Sequence, residues 1–519
     1  MQHFSDGWLA AIGGSVKLRC GVVLALCALV TGCSPSSQPT PMERGSGGSD
    51  ASKNVIGAAA NGGGGTGLGP VSTTDNPRQI TGGTVAAPTN GKGSGTGCTG
   101  LQCQQHDCPS GNTTISGRVY DPAGKNPLYN VAVYVPNETP QALPLGASCA
   151  KCDSLYTGHP VVTSLTDADG NFTIKDAPDG DNIPLVVQIG KWRKQVTVPH
   201  VTQCADTPVA DKLTLPRNHI EGDIPAIAIS TGAADTLECL LRRIGVDASE
   251  YVPGASDMGR VHIFQGSKGN SGGGGRRNGG NGGQAPNTSP AAPSSPSALW
   301  NDQSSLMKYD IVLLSCEGQE TQMMNQQALH DYASAGGRVF ASHFHYAWFN
   351  SGPYANENLA TWSAGSNDMG DIGATIVTSF PKGMALQQWL TDTGALMNGE
   401  LPIKEARHNA DVSKLNIPSQ AWILADNNAD PPMATEYLSF NTPTDAGMQA
   451  DGPGYCGRVV FSDLHVGAAS NDDPSQPVPM ECADGDLSPQ EKALEFMLFD
   501  LSACVTPDDR PPTPPPVLN

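Results

Sequence analysis

Basic residues are scarce in this chain, and long apolar runs are missing. The 519 residues hold 30 Lys and Arg against 50 Asp and Glu, a formal charge of −20. No run of Lys or Arg follows the N-terminal segment. Such a field disfavours DNA, RNA and anionic lipid headgroups as partners. The apolar stretch Cys20 to Val30 (CGVVLALCALV) is about half the ~20 residues needed to cross a bilayer, so it reads as a targeting segment that is removed. What the chain has in excess is glycine and proline, 61 and 42 residues unevenly spread, so several stretches should be linkers rather than core. The length allows two or three domains.

Lys17 and Arg19 flank the apolar run on one side, and the small pair Thr31-Gly32 precedes Cys33 on the other. The pattern resembles the lipobox family of bacterial lipoprotein signals. That resemblance implies removal of residues 1–32 and lipidation of Cys33 as the new N-terminus. The rest of the chain would lie outside the cytoplasm, anchored to a bacterial membrane, with the outer membrane or cell surface favoured. An ordinary secretory signal with a chance cysteine is the alternative. Loss of Lys17, Arg19 and Asp6 takes the charge to −21, so anchoring would rest on the lipid alone. Residues 33–97 carry that cysteine and a Gly/Ser/Thr/Pro tract with few aliphatics. The composition predicts a disordered tether with a reach of roughly 40–50 Å.

Eleven further cysteines follow: Cys98, Cys103, Cys108, Cys149, Cys152, Cys204, Cys239, Cys316, Cys456, Cys482 and Cys504. All are disulfide candidates in an oxidising compartment, and an odd count leaves at least one thiol free or intermolecular. Cys149-Ala150-Lys151-Cys152 is a CxxC. It lies in a Pro/Ser/Gly loop rather than opening a helix after a strand, which favours disulfides over zinc or redox chemistry.

Residues 98–217 predict a Cys-rich β-sandwich. Thr113 to Tyr120 reads as a strand, and Asn130 to Pro136 alternates like a half-buried one. Val161 to Thr166, the turn Asp167-Ala168-Asp169-Gly170 and Asn171 to Lys175 read as a hairpin with Phe172 and Ile174 inward. That turn lacks the Glu an EF-hand loop requires. Ile183 to Ile189 and Trp192 to Val198 add strands. SGRVYDPAGKNPLYNVAVYVP, TDADGNFTIKDAPDG and IPLVVQIGKWRK resemble the carboxypeptidase regulatory-like domain, a transthyretin-like β-sandwich covering about a fifth of the chain. The resemblance implies a non-catalytic module for support or binding.

Residues 218–505 change to alternating strands and helices, which predicts an open, mainly parallel α/β sheet of flavodoxin-like type. Ile224–Ser230, Val261–Phe264, Tyr309–Ser315, Arg338–Ser342, Ala421–Ala425, Tyr437–Phe440 and Arg458–Ser462 read as strands. A helix is expected over Asp235–Ile244, with Asp235 and Glu238 as a capping box. Further helices are expected over Gln322–Ala335, with Met324, Ala328, Tyr332 and Ala335 inward, over Lys382–Thr393, and after Ser488-Pro489-Gln490-Glu491. Residues 266–297 predict a flexible Gly/Ser/Pro insertion, and 506–519 a disordered Pro-rich tail.

YDIVLLSCEG, AGGRVFASHFH and CGRVVFSDLH resemble the class I glutamine amidotransferase-like fold, especially its trehalose-utilisation (ThuA-like) branch. The whole arrangement is similar to a group of predicted surface lipoproteins, some labelled tryptophan synthase alpha chain. An exported, anchored chain with a β-sandwich lacks the (βα)8 pattern which that label requires. Ser342-His343 stands where the amidotransferase family has its Cys nucleophile, so the glutaminase mechanism is lost. The ThuA-like branch carries a His after that strand and another near the last strand, which maps to His343 and His465.

In a parallel sheet, ligands bind outside the carboxyl ends of the strands. Three such ends carry polar groups: Cys316-Glu317, Ser342-His343-Phe344-His345 and Asp463-Leu464-His465. In an extended chain His343 and His345 would share a face. With Glu317, Asp463 or His465 they could hold a divalent metal or do acid–base work. The plainer alternative is that these groups satisfy loop backbone or cap helices. The leading expectation is therefore a non-catalytic binding or scaffold lipoprotein of the cell envelope. It would carry a degenerate amidotransferase-like domain, need no cofactor, bind no nucleic acid, and take a carbohydrate or envelope protein as ligand. The competing expectation is a metal-assisted hydrolase acting on a carbohydrate or envelope substrate through His343, His345, Asp463, His465 and Glu317.

Overall fold

The computed structural model describes residues 97–517, apart from 150–151, 255, 267–294, 321–324, 447–453, 468–469, 474–475 and 477. These residues belong to one compact unit, Thr84–Asn519. The signal segment, Cys33, the tether before residue 97, most of the 266–297 insertion and Met324 lie outside them.

The first eight strands form a β-sandwich. They are β1 (Thr114–Tyr120), β2 (Ala132–Pro136), β3 (Pro160–Leu165), β4 (Asn171–Lys175), β5 (Gly180–Ile189), β6 (Trp192–Val201), β7 (Asp206–Pro208) and β8 (Leu213–Thr214). One sheet runs β4-β1-β7 with β8 also on β1, and the other β3-β2-β5-β6. Ile115, Val119, Phe172 and Ile174 from the first sheet meet Val133, Val135, Leu185 and Val187 from the second. Phe172 and Ile174 face inward as their period-2 pattern requires.

Two expectations fail here. β3 and β4 are not a hairpin. β3 pairs with β2 and β4 with β1, so the 167–170 turn carries the chain from one sheet to the other. Nor is β2 half-buried. Its outer face, through Ala132 and Tyr134, is covered by Tyr156 and Cys152 beside the short helix α1 (Cys152–Leu155).

The second region is a ten-stranded mixed sheet. Its strands are β9 (Ile227–Ser230), β10 (Tyr251–Pro253), β11 (Val261–Phe264), β12 (Ile311–Leu314) and β13 (Arg338–Ser342), then β15 (Asp368–Ile376), β16 (Leu401–Arg407), β18 (Ser419–Ala425), β19 (Thr435–Thr442) and β20 (Gly457–Ser462). A small ribbon of β14 (Thr361–Trp362) and β17 (Ala410–Asp411) stands apart. The order is β10-β11-β9-β12-β13-β20-β19-β18-β15-β16. Strands β10 through β20 in that order run parallel. The remaining four pair antiparallel. The mainly parallel sheet expected from the sequence is thus extended by an antiparallel half.

Alternating residues of the parallel strands serve two cores. Ile227, Ile229, Leu313, Phe340 and Val460 face α2 (Leu237–Arg243) and α7 (Pro489–Ser502). Ala228, Val312, Leu314, Val339 and Phe461 face α3 (Ser297–Trp300), α4 (Gln303–Leu306) and α5 (Gln326–Ser334). Burial on both faces explains why these strands read as continuous apolar runs. The first core runs without a break into the sandwich, where Trp192 meets Phe499 and Tyr129 stacks on Phe496. Trp389 of α6 (Pro381–Asp392) donates to the Pro127 carbonyl at 2.6 Å.

Helix α7 begins with the Ser488/Glu491 capping box and Pro489 that its sequence announces. Helix α2 does not. Its N-cap is Thr236, and Asp235 turns its carboxylate elsewhere. In α5, Ala328 and Tyr332 are buried, whereas Ala335 lies past the helix end and is half-buried.

Five disulfides staple the fold: Cys98–Cys103, Cys108–Cys204, Cys149–Cys456, Cys152–Cys504 and Cys239–Cys482. The two cysteines of the CxxC go to different partners, both in the α/β region. Among the described residues Cys316 is the free thiol, buried at a strand end. The C-terminal residues do not form a free tail. Asp508 is buried in an ion-pair network, and the Pro515 carbonyl accepts from the Thr163 hydroxyl of β3.

Candidate functional site

Parallel strands β12, β13 and β20 deliver their carboxyl ends to one place. Cys316 follows β12, His343 follows β13, and His465 follows β20. A ligand atom from each lies within 4.8 Å of the others, and among the described residues this is the group of free side chains so placed. Cys316 is fully buried, and His343 and His465 are each 2% exposed. A second cluster, Cys239, Glu481 and Cys482, is closed by its own disulfide.

His343 is bent into this position by its backbone. Its φ is +44°, in the left-handed region that a residue with a Cβ seldom occupies. The chain then turns into a 3-10 segment, His343–Trp348. Nε2 of His343 lies 3.2 Å from the Ser366 carbonyl, and Nδ1 lies 3.2 Å from Cys316 Sγ. A carbonyl only accepts, so Nε2 carries the proton and Nδ1 keeps the lone pair, with the Cys316 S–H as donor. The rings of His343 and His465 meet edge-on, with centroids 5.0 Å apart. Gly232 passes so close to the Cys316 carbonyl that a Cβ there would sit at 2.0 Å from it, which only glycine tolerates.

Burial sets the charge state of the cluster. It pushes the Cys316 thiol up to about 12. It takes His465 down to about 3, with the nearby Arg407 charge adding to the effect. His343 is held well below its usual range by burial, then by His465 and Arg407. The thiol is therefore protonated and the imidazoles neutral, so this is no thiolate–imidazolium nucleophile.

The remaining candidates do not join. His345 is satisfied on both sides: Nε2 donates to the Ser315 carbonyl at 3.0 Å and Nδ1 accepts from the Trp348 indole at 3.1 Å. The face shared with His343 would need extended backbone, and the left-handed His343 removes it. Asp463 accepts from the Asn409 amide at 2.8 Å, and burial raises its carboxyl to about 7. Glu317 is buried near Gly266 but outside the ligand group. Cys316, by contrast, was singled out in the sequence as a strand-end group and a disulfide candidate, but not as a ligand. Its signal was positional: it follows a strand of the parallel block, as His343 does.

Asp235 locks the arrangement. Its carboxylate accepts from Ser342 Oγ at 2.6 Å and from the Val466 amide at 2.8 Å, tying the ends of β13 and β20 together. Burial lifts it to about 6.

His345 gives a pH prediction. Burial lowers it to about 4, so its stabilisation is full above the unfolded value near 6.5 and is lost as pH falls towards 4. Asp463, raised by burial, has the opposite slope across part of that window, so the informative quantity is a difference. His345→Gln keeps one donor and one acceptor and never charges. Its unfolding free energy relative to wild type should improve by ~3 kcal/mol between pH 7 and pH 4. A flat difference in denaturation midpoints would contradict this role for His345.

No family model matches this chain, and no curated protein does. Among solved structures, two mutants of a type II cohesin–X–dockerin complex from Acetivibrio cellulolyticus match. One is 16% identical over 28% of this chain and 78% of its own, at TM-score 0.14. The other is 15% identical over 26% and 85%, at TM-score 0.16. A 9R-lipoxygenase from Cyanothece is 17% identical over 22% of this chain and 19% of its own, at TM-score 0.12.

Proposed function

We propose that this chain is a lipid-anchored, extracytoplasmic binding and scaffold protein of a bacterial cell envelope, and that its α/β domain is not catalytic. The sandwich is read as a carboxypeptidase regulatory-like module. The α/β domain is read as a degenerate amidotransferase-like, flavodoxin-like fold. Support for the latter comes from the order β11-β9-β12-β13-β20, the 2-1-3-4-5 order of that class. Five disulfides suit an oxidising compartment. No helix among the described residues is long and apolar enough to cross a membrane. Attachment through Cys33 rests on the lipobox resemblance.

The observation that carries the reading is closure. The strand ends, where an α/β enzyme would take substrate, are covered by the segments bearing Ser366, Arg407 and Asn409, and Cys316, His343 and His465 have no open face. Open space lies instead where sandwich and α/β domain meet, in a cavity of about 640 Å³. Lys125, Arg217, Arg242 and Arg243 line it. Three of these four are paired with acids: Lys125 with Asp486, Arg217 with Asp247, Arg243 with Asp472 and Glu491. Arg242 donates to the Val246 carbonyl and pairs with no acid among the described residues, and is the cation a carboxylate-bearing ligand would meet.

Titration of the full chain with uronic-acid oligosaccharides tests this. Saturable binding, weakened about tenfold in Arg242→Ala, is the expected result. Binding that ignores Arg242 would remove the cavity from the account. Turnover of any ester, glycoside or amide that is lost in His343→Ala would overturn the non-catalytic reading.

A further inference from the structure

The strand-end cluster has the parts of a metal centre. We propose that Cys316, His343 and His465 bind one d10 transition cation, copper(I) or zinc(II), through one sulfur and two imidazole nitrogens. This goes beyond the binding role of the junction cavity and stands independently of it.

Three observations carry it. First, the ligand atoms already converge within 4.8 Å, with Cys316 Sγ 3.2 Å from His343 Nδ1, so a cation could enter with small side-chain shifts. Second, His343 has the outer-sphere partner typical of a metal ligand. Its Nε2–H is fixed on the Ser366 carbonyl, which leaves Nδ1 as a lone pair aimed at the sulfur. A residue interested only in a backbone hydrogen bond would not need the left-handed backbone that puts Nδ1 there. Third, Nε2 of His465 is fully buried with no hydrogen-bond partner. An orphaned buried nitrogen carries a desolvation cost that a ligand removes.

The donor set selects the class of ion. A cysteine sulfur with two imidazoles suits soft and borderline cations. Magnesium, calcium and manganese want oxygen ligands, and no carboxylate belongs to this group. Binding would exchange the Cys316 S–H proton for the metal, so one proton leaves to solvent as one M–S bond forms. A cation would also cross-link the ends of β12, β13 and β20, the three strands around which the domain is built.

The test uses the full chain, purified without a histidine tag and exposed in parallel to zinc(II) and, under reducing conditions, to copper(I). Elemental analysis should give one metal per chain. Cys316→Ser and His465→Asn should each weaken retention at least tenfold, while His345→Gln should retain wild-type stoichiometry. Competition with a zinc chelator and with a copper(I) chelator tells which of the two ions is held. Should either variant fail to fold, cobalt(II) loading of the wild type decides: a thiolate-to-cobalt charge-transfer band in the near ultraviolet supports the site. A folded wild type that binds none of these ions, metal retained undiminished in folded Cys316→Ser and His465→Asn, or a cobalt spectrum without the thiolate band would overturn it.

Discussion

Arg458→Ala should destabilise the chain by about 3–5 kcal/mol, the cost of leaving a buried charge without its partner. Arg458 lies at the start of β20 and is 1% exposed. Its guanidinium reaches Asp500 of α7 at 2.9 Å and Asp508 of the C-terminal segment at 2.9 Å. Lys382 of α6 meets the same two acids at 2.8 and 3.4 Å. Asn441 and Ser439 of β19 also accept N–H groups of Arg458. Two cations and two anions thus cancel in the dry space between sheet, helix and tail. Burial alone would raise Asp508, yet Arg458 and Lys382 facing it hold its carboxyl below the usual range. Removing Arg458 leaves two acids to one lysine. The size of the effect should therefore fall when one acid is removed as well: Arg458→Ala with Asp508→Asn should be milder than the sum of the single changes. Denaturation midpoints of the four proteins measure this, and strict additivity would show that the network does not act as a unit.

Breaking the bridges between the two regions should have a comparable effect. Cys149–Cys456 and Cys152–Cys504 both tie the sandwich to the α/β region. With the first intact, the second closes an effective loop of only about 50 residues, worth about 4 kcal/mol in the chain-entropy account. With both removed and Cys108–Cys204 and Cys239–Cys482 kept, the loop reopened next is about 100 residues, and the further loss should be about 5 kcal/mol. The first loss is expected for Cys152→Ser/Cys504→Ser, and the further loss when Cys149→Ser/Cys456→Ser is added, each read by chemical denaturation. Losses under 1 kcal/mol would mean that the shared core alone, through Trp192, Phe499, Tyr129 and Phe496, fixes the two regions together.

Local chemistry was legible in the sequence where it repeats over a few residues. The Ser488–Glu491 start of α7, the period-2 burial of β4 and the apolar strands of the parallel block needed nothing from distant parts of the chain. Pairing partners were not legible. Nothing in Asp167–Gly170 says that β3 and β4 join different sheets, because a tight turn serves either purpose. The antiparallel half stayed partly hidden because β15 carries Gly370 and Gly373, and β16 carries Pro402, residues that blur a strand pattern. Asp235 looked like a helix cap, since Asp before an apolar-periodic segment usually is one, but its partners come from 107 and 231 residues away. At the site, His343 and His465 were found because strand ends of a parallel sheet converge. His345 was wrongly joined to them because the left-handed turn at His343 leaves no trace in composition. Cys316 was placed at a strand end but not assigned as a ligand, for a related reason. Its neighbours make it a ligand candidate, and those neighbours arrive from 27 and 149 residues along the chain.

The closure of the strand ends is the central claim, and the reactivity of Cys316 tests it directly. With five disulfides formed, Cys316 is the thiol of the described residues that remains. The difference in labelling between wild type and Cys316→Ser by an aromatic disulfide reagent isolates it. The account predicts no difference for the native proteins over hours, and one additional thiol in the wild type once both are unfolded in denaturant. Labelling of native Cys316 within seconds, at the rate of an open thiol, would show that the strand ends form an accessible cleft and would return the site to the enzymes.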